Sequence, residues 1–214
     1  MAMREYPKIE TLYERDMNGS KTLIEGRFRN SAVEYLKNNC WEWTEKIDGT
    51  NIRVHWDGHK VEFAGRTDRS SIPAHLMNKL VELFASDETE ELFEQKFGEK
   101  EVTFYGEGYG VKIQNGGNYR PDVSFILFDV LIGEMWLGRA SVEEIATAFG
   151  IEVVPIIFRG EIDEAVDFVK SHPKSTIGSA DMEGLVGRPM CEMLDRMGNR
   201  IIVKVKCCDF KMGK

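Results

Sequence analysis

Apolar and polar side chains alternate along a central block of the chain and predict three short strands, at 41–46, 51–56 and 59–64. The dipeptide Asp57-Gly58 between the last two strands is a strong hairpin signal. The first strand ends at Lys46, just before another Asp-Gly dipeptide, Asp48-Gly49. We therefore expect the three strands to form a small antiparallel meander.

The rest of the chain mixes strand and helix signals. An apolar run at 123–132 predicts a buried strand, and 102–110 predicts a strand that passes into a glycine-rich turn. Further strands are expected at 152–158, 184–189 and 200–210, and helices at 31–38, 74–85, 88–96, 141–149 and 163–171. Ser141 and Glu144 form a capping-box pattern for the fourth helix, which Gly150 ends. This pattern predicts an α+β fold.

The composition suits one globular domain. The chain has 214 residues, of which 42% are hydrophobic and 30% charged. It has no apolar run of about 18 residues and no apolar signal core at its start, so we expect a cytoplasmic protein that does not span a membrane.

The formal net charge of -8 argues at first against a nucleic-acid partner, whose phosphates bind lysine and arginine. The charge is uneven, however. Segment 81–101 carries eight acidic residues against two lysines, whereas segment 196–214 carries six basic residues against one acid. The acidity is therefore expected on a solvated helical segment, and a basic binding face remains possible.

The cysteines and histidines do not have the spacing of a zinc site. Adjacent Cys207 and Cys208 are expected on opposite faces of a strand, and we interpret all four cysteines as reduced packing residues.

Lys46 is a candidate nucleophile because a strand that stops at a turn holds its last side chain at a fixed angle. A free lysine has a pKa of about 10.4, so catalysis requires neighbours that are cationic or that desolvate the amine. By itself, Lys-x-Asp-Gly is also a common surface hairpin.

Other polar positions supply possible partners. Arg66 follows the meander, which would return it toward Lys46 and let it hold a phosphate or ribose. Glu107 lies between two glycines, where a ligand could approach the backbone, although a plain strand-end acid fits equally well. Lys204 and Lys206 share one face of a strand, and their repulsion would be relieved by a polyphosphate.

The order of these segments resembles the covalent nucleotidyltransferases, and among them the ATP-dependent RNA ligases, in particular the branch typified by the phage double-strand-repairing RNA ligase. The resemblance extends from about Trp41 to Phe210. It is carried by six motifs in order: Glu45-Lys46-Ile47-Asp48-Gly49-Thr50-Asn51, Gly65-Arg66-Thr67, Phe104-Tyr105-Gly106-Glu107-Gly108, Phe125-Ile126-Leu127-Phe128-Asp129, Glu183-Gly184-Leu185-Val186 and Lys204-Val205-Lys206.

The resemblance implies a role for each motif. Lys46 would carry AMP, Glu107 would bind the ribose, Phe128 would stack on adenine, and Glu183 would assist a Mg²⁺ or Mn²⁺ ion. Lys204 and Lys206 would hold the phosphates and, with the metal, lower the pKa of Lys46. The other implied nucleotide-binding residues are Glu45, Ile47, Asn51 and Arg66. The implied fold has two mainly antiparallel sheets with flanking helices and the nucleotide site between them.

The implied reaction has three steps. Lys46 attacks ATP and forms lysyl-AMP, the AMP passes to an RNA 5′-phosphate, and a 3′-hydroxyl attacks that end and releases AMP. Asn51 favours RNA as the substrate, since DNA-sealing relatives more often have arginine there. We expect a monomeric single domain over 1–214, with 1–40 packed on it and no appended C-terminal domain.

Three alternatives remain. The chain could be a DNA ligase catalytic core, a capping-type enzyme that uses GTP, or a nucleotide- or RNA-binding module without turnover. Labelling with ATP or GTP separates the enzymes, and binding without a covalent adduct would identify the module.

Overall fold

The computed structural model describes residues 3–18 and 22–210. Its strands are β1 (Glu10–Thr11), β2 (Tyr13–Arg15), β3 (Leu23–Phe28), β4 (Trp41–Lys46), β5 (Thr50–Trp56), β6 (Val61–Ala64), β7 (Val102–Gly110), β8 (Val123–Ile132), β9 (Met135–Trp136), β10 (Glu152–Val153), β11 (Ile156–Gly160), β12 (Gly184–Pro189) and β13 (Val203–Lys206). Its helices are α1 (Ser31–Tyr35), α2 (Ala74–Phe84), α3 (Asp87–Phe97), α4 (Arg139–Phe149) and α5 (Ile162–Lys170). The α+β prediction is confirmed.

The chain divides into two compact units. Unit 1 comprises 1–7 and 48–154, and unit 2 comprises 8–47 and 155–214. The predicted single domain over 1–214 remains a prediction.

Unit 1 is built on a six-stranded sheet. Its strand order is β10-β8-β7-β5-β6, with β9 paired to β8, and only β10 runs parallel to its neighbour. Helices α2, α3 and α4 contribute apolar side chains, including Phe84 and Phe93, to a core that contains Phe104 and Phe125 from the sheet. The acidic stretch is helical and largely solvated, as predicted, because α3 buries only Phe93.

Unit 2 contains a five-stranded sheet in the order β1-β13-β12-β4-β11 and a separate pair, β2-β3. Only β1 runs parallel to its neighbour in the larger sheet. Trp41 and Trp43 of β4 are fully buried and pack with Leu185, Val205 and residues of α5. The alternation that predicted β4 therefore reflects one apolar face directed into this core.

The predicted three-strand meander is wrong. Strand β5 pairs with β6 and β7, whereas β4 pairs with β11 and β12. The Asp57-Gly58 hairpin between β5 and β6 is correct, but Asp48-Gly49 does not join two paired strands. The meander therefore gives no reason to place Arg66 near Lys46.

Three other local predictions are also wrong. The expected glycine-rich turn is part of β7, which continues to Gly110. Helix α4 begins at Arg139 after Gly138, so Ser141 lies inside its first turn and makes no capping box. The single strand expected at 152–158 is two strands in different sheets, separated at Pro155, which has no N–H for a ladder hydrogen bond.

The cysteine interpretation is correct only in part. Cys40, Cys191 and Cys208 are exposed, so only Cys207 packs in the interior, and burial raises its pKa to about 11. The strand expected at 200–210 is shorter than predicted, because β13 ends at Lys206. Cys207 and Cys208 therefore do not lie on a strand but begin a 3-10 turn, with Cys207 buried and Cys208 exposed. Of the basic segment 196–214, residues 211–214 lie outside the described part of the chain.

No helix within 3–18 and 22–210 has the length and apolar character needed to cross a bilayer.

Candidate active site

Strand β4 positions Lys46 in unit 2. Trp41, Trp43 and Glu45 are buried on one face of the strand, and Lys46 lies on the other, with 24% of its side chain exposed. The amine is therefore partly desolvated but accessible, as a nucleophile requires.

Three neighbouring strands align Lys46 with Lys206. In the antiparallel registers, Gly184 of β12 pairs with Lys46 of β4 on one side and with Lys206 of β13 on the other. Gly184 has no side chain to separate the two lysines. A Cβ there would lie 2.1 Å from the carbonyl oxygen of Val205, so the close approach of β13 requires glycine.

Glu183 joins the two amines. Lys46 Nζ lies 2.6 Å from Glu183 Oε2, and Lys206 Nζ lies 2.5 Å from Glu183 Oε1. The Glu183 side chain is only 16% exposed, and its backbone carbonyl accepts a hydrogen bond from the Cys207 amide. Two lysines and one glutamate thus form a compact, partly buried group.

The ion pair also affects Lys206 itself. Burial alone would lower the pKa of Lys206, but the hydrogen bond and the negative charge of Glu183 outweigh burial, so the pKa is raised. Lys206 is therefore a cation at neutral pH. Lys204 is half-buried on the same face of β13, as predicted.

The carboxylate of Glu45 is buried and hydrogen-bonded to residues of unit 2. Its carboxylate is 1% exposed and accepts hydrogen bonds from Ser175 Oγ at 2.5 Å, Thr176 Oγ1 at 2.6 Å and the Thr176 amide at 3.0 Å. The neighbouring Ile47 is also buried, at 3% exposure. The nucleotide-binding roles of Glu45 and Ile47 remain predictions.

In unit 1, strand pairing brings Asn51 and Glu107 together. Asn51 of β5 is the direct partner of Glu107 of β7. Asn51 Oδ1 is buried and has no hydrogen-bond partner within 3–18 and 22–210. A buried carbonyl oxygen of this kind is suited to accept a hydrogen bond from a ligand.

The glycines around Glu107 have a packing role. A Cβ at Gly106 would meet the ring of Phe125 at 2.2 Å, and one at Gly108 would meet Leu76 at 2.4 Å. Glu107 itself is half-buried. Its glycine context therefore reflects core packing, and its ribose-binding role remains a prediction.

The structure also places Arg66 and Phe128 in unit 1. Arg66 is exposed in the loop after β6. Phe128 is half-buried on β8, and the ring of Tyr6 lies edge-on to it at 5.0 Å between centroids. The hydroxyl of Tyr6 donates to buried Asp129 at 2.8 Å, which fixes the tyrosine beside Phe128.

The side chains near Lys46 determine whether the implied Mg²⁺ or Mn²⁺ ion could bind there. No group of three or more metal-ligating side chains occurs within the described ranges, and Glu183 is the carboxylate of the lysine cluster. Mg²⁺ is commonly held by one or two carboxylates together with substrate phosphates and water. The residues therefore fit a divalent ion that binds together with a polyphosphate.

Sequence reasoning missed the hydrogen-bonding residues around the motifs. Ser175 and Thr176 carry no motif, and only the buried position of Glu45 on β4 signals that it needs donors. Tyr6 gave no signal either, because its contact with Phe128 spans more than 100 residues of sequence.

Comparison with known proteins identifies the family. A family model described as RNA ligase matches residues 40–206, which is most of the chain and includes all six motifs. The chain belongs to the RNA ligase family. A search of curated protein sequences gave no match.

The fold of this RNA ligase family member is similar to solved structures of Naegleria gruberi RNA ligase. A lysine-to-methionine variant with AMP and Mn matches with a TM-score of 0.64 and 19% identity, over 94% of this chain and 57% of that one. The same ligase with PPi matches with a TM-score of 0.63 and 18% identity, over 94% and 61%. A lysine-to-alanine variant with ATP and Mn gives 0.62 and 17%, also over 94% and 61%.

These matches confirm the predicted RNA ligase nucleotidyltransferase fold. The chain spans about 57–61% of the length of these matched structures.

Proposed function

We propose that this chain is the nucleotidyltransferase domain of an ATP-dependent RNA ligase, which joins RNA 5′-phosphate and 3′-hydroxyl ends through lysyl-AMP. The observation that carries the proposal is the Lys46–Glu183–Lys206 cluster, in which a partly buried amine and a second cation share one carboxylate. Membership of the RNA ligase family and the ATP, AMP and PPi complexes of the Naegleria enzyme support it.

In the first step, Lys46 Nζ attacks the α-phosphorus of ATP. An N–P bond forms, the bond between the α-phosphorus and the bridging oxygen breaks, and pyrophosphate leaves with that oxygen. The attacking neutral amine releases one proton to solvent and keeps one as the N–H of the phosphoramidate. Lys204 and Lys206 bind the phosphates and compensate the charge that develops on the leaving group. Because Lys206 shares Glu183 with Lys46, the phosphate-binding cation is held beside the nucleophile.

Glu183 has two roles in this proposal. It orients both lysines, and its carboxylate is the group that would hold Mg²⁺ or Mn²⁺. When bound, such an ion neutralises phosphate charge and raises the electrophilicity of the phosphorus.

The proposed contacts to the nucleoside are those that the resemblance to ATP-dependent RNA ligases implies. Phe128 stacks on adenine, Glu107 accepts from the ribose, and Arg66 binds a phosphate or ribose oxygen. Asn51 contributes the buried acceptor described above, while Glu45 and Ile47 flank the nucleophile.

The remaining steps transfer AMP to RNA. The 5′-phosphate oxygen of one RNA end attacks the lysyl-AMP phosphorus and releases Lys46, and the 3′-hydroxyl of the other end then displaces AMP. We also propose that the chain acts as a monomer in the cytoplasm.

Mass spectrometry of the intact protein tests the first step. We expect a mass increase of one AMP after incubation with ATP and Mg²⁺ or Mn²⁺, and none with GTP. A covalent adduct formed only with GTP would favour the capping-type alternative, and ATP binding without any adduct would favour the non-catalytic module.

Sealing assays test the strand specificity. Nicked duplexes with RNA or DNA on the 3′-hydroxyl side should show faster sealing with RNA. A preference for DNA would favour the DNA ligase alternative.

A further inference from the structure

A basic cleft lies in unit 2, beside the catalytic cluster and largely outside the residues that the family model matches. Its volume is about 560 Å³, within the range of about 300–1,000 Å³ usual for ligand sites. Its cations are Lys8, Arg15, Arg29, Lys204 and Lys206. The first three precede residue 40, where the family match begins.

Strand pairing brings the N-terminal cations close to β13, which carries Lys204 and Lys206. Strand β1 runs parallel to β13, with Thr11 opposite Lys204, and the Leu12 amide donates to the Lys204 carbonyl. The Arg29 amide in turn donates to the Leu12 carbonyl. Lys206 belongs to both the cleft and the cluster with Lys46, so a ligand in the cleft lies close to the reacting phosphate.

The cleft also contains two carboxylates. Glu10 pairs with Arg29 at 2.7 Å and with Lys8 at 3.6 Å. Asp209 has a side chain that is only 4% exposed and pairs through Oδ1 with Arg15 at 2.5 Å. Its other oxygen, Oδ2, is buried without a hydrogen-bond partner in the described ranges, and such an acceptor is costly to leave unpaired.

This mixture of charges distinguishes between phosphate ligands. Ionised pyrophosphate offers mainly acceptors, so it can pair with the cations of the cleft, including Lys204 and Lys206, but not with Glu10 or Asp209. An RNA strand offers phosphates to the cations and 2′-hydroxyl donors to the carboxylates. We propose that the cleft binds the backbone of an RNA strand, with phosphates on Lys8 and Arg29 and a ribose 2′-hydroxyl donating to Asp209. This rests on the proposed function only in taking RNA as the substrate.

Salt-dependent binding tests the phosphate contacts. The full chain is titrated, without ATP or metal, into a labelled single-stranded RNA that has a 3′-hydroxyl and no 5′-phosphate. The double variant Lys8→Ala/Arg29→Ala should bind about tenfold more weakly, and its plot of log affinity against log salt should be shallower by about 1.4, for two phosphate contacts.

A matched double variant controls for the loss of charge. Arg27 and Lys60 are each paired with a glutamate and 66% and 62% exposed, and neither lines the cleft. Arg27→Ala/Lys60→Ala should keep the affinity and the salt slope of the original protein. Equal effects of the two double variants would overturn the proposal.

A sugar comparison tests Asp209. The original protein should bind RNA more tightly than DNA of the same sequence, and Asp209→Ala should reduce this ratio about tenfold, the discrimination expected from one lost hydrogen bond to a charged group. Partial unfolding would lower the affinities for RNA and for DNA by the same factor, so it would leave their ratio unchanged. An unchanged ratio would contradict the role of the 2′-hydroxyl.

Pyrophosphate is the other source of the same phosphate chemistry. If Lys8→Ala/Arg29→Ala weakens binding of pyrophosphate alone and leaves RNA affinity unchanged, the cleft is a polyphosphate site and the proposal is wrong. Adduct formation by the original protein is measured separately. Absence of the AMP adduct would overturn the proposed function, whereas RNA binding measured without ATP decides the role of the cleft.

Discussion

At the residue scale, the proposed chemistry depends on one carboxylate that contacts two lysines. Glu183 holds Lys46 on one oxygen and Lys206 on the other. Repulsion between the lysines was expected to activate Lys46, but Glu183 lies between Lys46 and Lys206 and pairs with both. The positions of all three residues are therefore coupled, and each can be tested separately.

Replacement of Lys46 by alanine should abolish the AMP adduct without unfolding the protein. Glu183 keeps its partner Lys206 in this variant, so its carboxylate is not left without a cation when the Lys46 contact is lost. Intact mass and thermal unfolding measure the two effects. Lys60→Ala, which removes another glutamate-paired lysine, is the control and should form a normal adduct. An adduct on Lys46→Ala would show that another residue is the nucleophile.

Replacement of Phe128 by alanine should chiefly weaken nucleotide binding. A lost stacking contact with a base costs about 1–3 kcal/mol, and the half-buried ring has Tyr6 as an aromatic neighbour. ATP titration and thermal unfolding are compared with Phe63→Ala, which removes another half-buried ring from the same sheet. If Phe128→Ala unfolds the protein and Phe63→Ala does not, Phe128 is a core residue and its assignment to adenine is wrong.

At the element scale, local patterns predicted strands better than their partners. The bounds of β4 and β8 match the sequence prediction, because alternation and continuous burial are properties of adjacent residues. The partners of β4 lie more than 100 residues away, in β11 and β12, and no local signal distinguishes them from the nearby β5. The motifs named Lys46, Glu183 and Lys206, which the structure brings together, whereas the expected meander paired β4 with the wrong strand.

Glycine was the other source of error at this scale. The glycines of β7 suggested a turn, but they allow Phe125 and Leu76 to pack against an extended strand. This distinction depends on side chains from β8 and α2, which the local sequence does not specify.

Replacement of Gly184 by alanine should disturb the alignment of Lys46 on β4 with Lys206 on β13. The new Cβ would lie 2.1 Å from a backbone oxygen of β13, so that strand must shift, at a cost of about 1–3 kcal/mol. We expect lower stability and a slower AMP adduct, because Lys206 moves with β13. Gly117→Ala is the control, since its Cβ would have no neighbour within 4 Å. Normal adduct kinetics in Gly184→Ala would show that the close pairing is unimportant.

The loop between α5 and β12 should position Glu183 through its contact with Glu45. Thr176→Val removes one donor to Glu45 at nearly constant volume and should cost about 1–3 kcal/mol of unfolding free energy. Adduct formation should also slow, because the loop leads directly to Glu183. Thr147→Val, which removes an exposed hydroxyl from α4, should leave both unchanged. A stability loss with unchanged kinetics would restrict the contact to a structural role.

At the scale of the whole molecule, net charge does not show where basic side chains are concentrated. The chain carries -8 overall, yet unit 2 contains a cleft with five cations and two carboxylates. Composition could not reveal this, because three of the cations are far in sequence from the lysines of β13. The motifs include Lys204 and Lys206 of this cleft, but no motif pointed to Lys8, Arg15 or Arg29.

Global stability should fall as the pH is lowered through the range in which histidine titrates. Burial lowers the pKa of His55 below 6.5, although Glu101, Asp57 and Glu62 oppose the shift. The folded protein then binds fewer protons than the unfolded chain, so this stability is complete above about pH 6.5 and is lost below it. His55→Gln keeps a partner for the Thr103 hydroxyl and should show a smaller fall in melting temperature between pH 7.5 and 5.5. His59→Gln, at an exposed turn, is the control. Equal pH profiles for all three proteins would show that His55 does not contribute.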